Sequence, residues 1–147
     1  MFKNTITTVA ILSSALLTAG CRTEDAHGFL AGKFVDEEPM LASVVIPPAE
    51  RGEYPMYFAL HQGDRTCLLT GTNFEENFLF FSRCEGVSGT GRISCNDGRA
   101  LNLQWTLTSC LGGYGRSIES EGPSFFFGFE SNEEKALDQL KKAEQEN

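Results

Sequence analysis

The sequence predicts a mainly β domain: an antiparallel meander forming a small sandwich or open barrel, with one short C-terminal α-helix. Three observations carry this expectation. From Tyr54 to Glu130, apolar and polar residues alternate with period two between turn-forming stretches. Four cysteines are spread through that region with no Cys-x-x-Cys spacing, as in a bridged sheet rather than a zinc ribbon. After Ser131 the apolar period changes to that of a helix.

Residues 28–53 read as irregular, because Pro39, Pro47 and Pro48 exclude long regular elements. Within them, Leu41–Ile46 fits one edge strand that the Pro-Pro pair stops. Next, Met56, Phe58 and Leu60 share one parity and Tyr57, Ala59 and His61 the other, ending in the turn Gln62-Gly63-Asp64-Arg65. Thr66–Thr70 and Asn77–Arg83 read as strands joined by residues 71–76, followed by a glycine-rich connection at Gly86–Gly91. Arg92–Cys95 starts a further strand, closed by Asn96-Asp97-Gly98-Arg99, where Asn, Asp and Gly reach left-handed conformations at low cost.

The clearest strand follows. Leu101, Leu103, Trp105 and Leu107 take one face and Asn102, Gln104, Thr106 and Thr108 the other, the pattern of a strand with one buried and one wet side. Leu111–Gly115 breaks it; Arg116–Ser120 and Ser124–Phe129 complete the meander, with Phe125, Phe127 and Phe129 inward. Ser131-x-x-Glu134 reads as a capping box, with Ala136, Leu137, Leu140 and Ala143 as a thin apolar stripe behind it. A solvated tail is the expectation for so charged a helix.

The N-terminus carries a different signal. Thr5–Gly20 has no charge and is shorter than the ~20 apolar residues of a spanning helix. It ends in Leu17-Thr18-Ala19-Gly20-Cys21, small residues placed as before a cleavage site. This stretch resembles the lipobox of bacterial lipoprotein precursors. The resemblance implies cleavage before Cys21, acylation of Cys21 and a lipid-anchored protein of the cell envelope. Arg22, rather than Asp, after that cysteine implies the outer membrane if the host is Gram-negative. The expected divisions are a signal peptide (1–20), a lipidated tether and irregular segment (21–53), a disulfide-linked β domain (54–130) and a charged helix (131–147).

Removing residues 1–20 leaves 127, enough for one domain, and takes the net charge from −8 to about −9. An acidic chain without a Lys/Arg cluster repels phosphate backbones, which disfavours nucleic acid as a partner. Membrane attachment must then rest on acyl chains.

With Cys21 acylated, Cys67, Cys84, Cys95 and Cys110 remain as an even set. An oxidising compartment favours bridges, and four cysteines allow three connectivities. A turn near residues 74–76 places Cys67 opposite Cys84, so the expected pairs are Cys67–Cys84 and Cys95–Cys110.

Catalytic constellations are sparse. His61 and Asp64 share one turn and would serve an envelope hydrolase, yet no nucleophile has a recognisable setting beside them. Gly89-Thr90-Gly91 and Gly112–Gly115 lack the following helix and Lys of a phosphate loop. Asp36-Glu37-Glu38 lacks the alternating ligands of a calcium loop, so neither metal nor cofactor is expected. The stretch from Gly89 to Gly115, with Ser94-Cys95-Asn96-Asp97-Gly98-Arg99 at its centre, resembles small exported β-rich bacterial proteins. It implies a disulfide-pinned hairpin and transfers no functional residue.

The expected function is therefore a non-enzymatic, lipid-anchored envelope protein that binds an envelope or extracellular protein or glycan, with Tyr54, Tyr57 and Tyr114 as candidate contacts. The alternatives are the hydrolase using His61 and Asp64, and a purely structural surface lipoprotein.

Overall fold

A computed structural model describes residues 26–46, 56–74 and 85–146. They form eight antiparallel strands: β1 (Ala26–Phe34), β2 (Met40–Ile46), β3 (Met56–Gln62), β4 (Arg65–Phe74), β5 (Ser88–Cys95), β6 (Ala100–Leu107), β7 (Gly113–Ser117) and β8 (Phe125–Glu130). One helix, α1 (Glu133–Gln145), follows. The hydrogen-bonded order is β2-β1-β8-β7-β6-β5-β4-β3. β1 thus joins the two ends of the meander, and β2 and β3 lie side by side as the sheet's edges. The result is a nearly closed barrel with a seam between β2 and β3.

Alternation fills the barrel. Leu30 and Phe34 of β1, Leu60 of β3, Leu69 of β4, Ile93 of β5, and Leu103 and Trp105 of β6 meet inside with Phe125 and Phe127 of β8. Each such side chain, fully buried, contributes roughly 1.5–3 kcal/mol. Trp105 satisfies its indole by donating Nε1–H to the Thr90 carbonyl at 3.2 Å.

Several expectations change here. Much of the N-terminal stretch read as irregular forms β1, with Pro39 in the turn that follows it, whereas the edge strand expected at Leu41–Ile46 is present as β2. β1 is hard to recognise because its inward parity includes Gly28 and Gly32. A Cβ at Gly32 would come within 2.6 Å of the Phe125 ring, so the glycine is what lets that ring lie across the strand. The same exchange explains β7, read from sequence as a break. Gly113 and Gly115 stand opposite Phe129 and Phe127, whose rings occupy the space their side chains would need. Gly89 and Gly91 likewise belong to β5. The strand expected at Asn77–Arg83 lies outside the described residues.

The disulfide pairing is corrected as well. Cys67 bonds Cys95, not Cys84, and Cys95 is therefore not paired with Cys110. β4 pairs directly with β5 in a register that sets Cys67 opposite Cys95, beside the hydrogen-bonded pair Thr66–Asn96. Cys110, at the exposed turn after β6, is also disulfide-bonded.

The helix is a packed element rather than a solvated tail. Ala136, Leu140 and Ala143 are buried against Ala31 and Phe126 on the outside of β1 and β8. Its N-cap is Asn132, whose Oδ1 accepts from Lys135 N–H at 2.9 Å, so the expected Ser131 box is displaced by one residue. At its other end, Arg116 Nη1 donates to the Glu146 carbonyl at 2.8 Å and Lys33 pairs with Glu144 at 2.9 Å.

Candidate functional site

Up-and-down strands bring alternate connections to opposite ends of a barrel. The turns β1–β2, β3–β4 and β5–β6 share the end remote from the first residue of β1. Each is tight for a local reason. Asp36 has φ 62°, Gly63 φ 57° and Gly98 φ 92°, left-handed positions that reverse the chain at low cost where Asp or Gly supplies them.

These turns converge on four charged residues. Glu37 Oε2 lies 2.5 Å from Arg65 Nη2, and Glu37 Oε1 lies 3.2 Å from Arg99 Nη1. Asp97 Oδ2 accepts from Arg99 Nη2 at 2.6 Å and from Nε at 2.9 Å, and lies 3.9 Å from Arg65 Nη1. The Arg99 guanidinium sits 3.7 Å from the Phe34 ring centroid and that of Arg65 5.6 Å from it. Both cations therefore cover the aromatic floor of the barrel mouth, where ring quadrupole and guanidinium attract. Gln62 accepts from Arg65 and donates Nε2–H to the Glu38 carbonyl at 3.2 Å. Asn96 ties two turns together: its Oδ1 accepts from Thr66 N–H at 3.0 Å and its Nδ2 donates to the Asp64 carbonyl at 2.9 Å.

The electrostatics follow from this contact. Hydrogen bonding from Arg65, joined by Arg99, holds the Glu37 carboxyl below its usual range, overcoming the opposing cost of partial burial. Asp97 is lowered chiefly by Arg99, and Arg99 is raised chiefly by Asp97. Within the quartet the charges balance. Asp36, Glu38 and Asp64 are exposed around it, so the platform has an acidic rim.

The fourth connection at this end, between β7 and β8, is held separately. Glu119 Oε1 accepts from Asn102 N–H at 2.7 Å, which lowers the Glu119 pKa. The end is thus a set of reversals fixed by side chains, with the quartet as its centre.

The candidates named from sequence are scattered. Tyr57 is exposed on β3. Tyr114 packs against the α1 cluster, and its hydroxyl bonds Glu146, which raises its pKa; it is a helix clasp rather than a free contact. Tyr54 and Cys21 lie outside the described residues. His61 points outward from β3 with Nδ1 3.1 Å from Thr66 Oγ1, while Asp64 takes part through its backbone carbonyl. Among the described residues, no group of three or more His, Cys, Asp or Glu is placed to hold a metal ion.

Sequence reasoning weighed Glu37 only as a calcium ligand and passed over Arg65 and Arg99. A signal was present: the turns Gln62-Gly63-Asp64-Arg65 and Asn96-Asp97-Gly98-Arg99 both contain Gly and Asp and both end in Arg. An Arg at the first position after each reversal reaches back over the same barrel mouth. Comparison of the chain with family models, with curated proteins and with solved structures gave no match.

Proposed function

We propose that this chain is a non-enzymatic, lipid-anchored cell-envelope protein whose barrel is a binding module for an envelope or extracellular partner. The supporting observation is the three-turn platform. The barrel interior is filled by its own side chains, so recognition falls to the outside. There the Glu37–Arg65–Arg99–Asp97 quartet fixes three loops before any partner arrives. Pre-fixed loops lose little entropy on binding, which favours recognition by a rigid surface. The acidic rim selects a partner of opposite charge and repels nucleic acid.

Acylated Cys21 completes the reading. It precedes the first residue of β1 by five positions, and the platform lies at the other end of that nine-residue strand. The point where the chain enters β1 and the platform therefore lie at opposite ends of the barrel. A role as a bare structural coat would not require fixed turns.

The test is in-cell photocrosslinking of the full chain with the crosslinking residue at exposed Asp64, and at Asp138 on the helix as a control site. A partner captured from position 64, absent from position 138 and lost in Cys21→Ala, supports a tethered binding module. Equal yields from both positions, or none above background, would assign the protein a structural role instead.

A further inference from the structure

The barrel is two-sided in its charge. β2, β3 and β4 together contain one Lys, Arg, Asp or Glu, Arg65, and that residue is folded over the mouth. Their outward positions include Leu41, Val45, Tyr57 and Leu68, exposed by 40, 50, 61 and 43%. The whole chain, by contrast, is 22% charged and carries net −8. Strand order places β3 four strands from β7 in either direction round the ring. Off this uncharged face lies α1, seated chiefly on β8, three strands from β3, and also on β1 and β7, with Glu133, Lys135, Asp138 and Lys141 turned to water.

The tether decides what covers the uncharged face. Five residues, fully extended, span at most ~17–18 Å. Acyl chains on Cys21 would hold Ala26 within that distance of the bilayer. β2 pairs directly with β1, His27 opposite Val45, and β3 lies beside β2. The face is thus held next to lipid at high effective concentration, whereas a second copy must arrive by diffusion. Tyr suits the headgroup level, and an uncharged surface avoids the repulsion that the rest of this acidic chain would meet.

We propose that the outer face of β2–β4 lies against the headgroup region of the bilayer that anchors the chain, with α1 directed away from it. This rests on the lipid-anchor reading above. The arginine-capped platform then opens along the membrane plane, toward partners held at the same surface.

The experiment uses the mature acylated protein in phosphatidylcholine vesicles whose acyl chains carry bromine, a short-range quencher of tryptophan. Tyr57→Trp, Leu68→Trp and Asp138→Trp are compared after subtraction of the wild-type signal from Trp105. Vesicle flotation and the intact mass of the N-terminal peptide run in parallel. The expected result is flotation, an acylated Cys21 and several-fold stronger bromine quenching at 57 and 68 than at 138. Flotation with acylation but equal quenching at the three sites would overturn the docking and leave the anchor standing. Protein without acyl mass that does not float would overturn both. Sites 57 and 68 shielded from aqueous iodide yet unquenched by bromine would assign the face to a second copy, against the proposal.

Discussion

Gly128 is where α1 meets the sheet, and its replacement by alanine is the sharpest test of that packing. A Cβ built there lies 2.3 Å from Leu140 N, 2.6 Å from the Ala136 carbonyl oxygen and 2.6 Å from Gln139 C. All three are helix backbone atoms, so no rotamer change relieves the clash. Restoring ordinary contact requires the helix to lift by ~1 Å, and overpacking of that kind costs roughly 1–3 kcal/mol. For a domain of this size that is a fall in Tm of about 4–12 °C. The lift also strains the contacts of Ala136, Leu140 and Ala143 with Phe126. Thermal melts followed by circular dichroism measure the shift, and hydrogen exchange at the amides of α1 locates it. A melting temperature within about 1 °C of wild type, with unchanged exchange in α1, would refute the close approach.

The turn quartet predicts a specific response to acid. Because the folded-state pKa values of Glu37 and Asp97 are lowered, their contribution is complete above the unfolded carboxylate values and is lost as pH falls through the folded ones. Glu37→Gln should therefore lower stability at neutral pH and flatten its decline in acid, as read from urea midpoints across pH; an unchanged profile would contradict the pairing. Removing the bridge with Cys67→Ala and Cys95→Ala together should cost about 3–4 kcal/mol, given a separation of 28 residues. Non-reducing peptide mapping should recover Cys67 joined to Cys95, and recovery of Cys67 joined to Cys84 would overturn the β4–β5 register. Asn132→Ala should cost about 1 kcal/mol through loss of the helix cap, whereas Ser131→Ala should change the melting temperature little.

What the sequence makes legible depends on which residue carries the pattern. β6 is readable because Leu101, Leu103, Trp105 and Leu107 bury large side chains while their neighbours are polar. Gly63 and Gly98 are equally readable, since both stand in reversals with positive φ. β1 and β7 are not, because their inward glycines are half of a fit completed by Phe125, Phe127 and Phe129 from another strand. The alternation exists in space and is absent from either segment alone. The cysteine pairing failed for a related reason: Cys67 has its partner in the register of β4 with β5, which outweighs the nearest expected turn. Glu37, Arg65 and Arg99 stand 28 and 34 positions apart and become a site only when three turns meet at one mouth.

The pairing of β1 with β8 constrains the order in which this chain assembles. Leu30 stands opposite Phe129, 99 residues later, so β1 waits during synthesis for nearly the last strand. Until β8 arrives, β1 is flanked by β2 alone, and a two-stranded hairpin is marginal in water. The ring therefore closes only after the whole barrel sequence has been made, and a chain stopped short of Phe125 leaves β1 and β7 each lacking a neighbour. Chain elongation and barrel closure are consecutive events for this protein, with β1 the first strand to be made and the last to be secured.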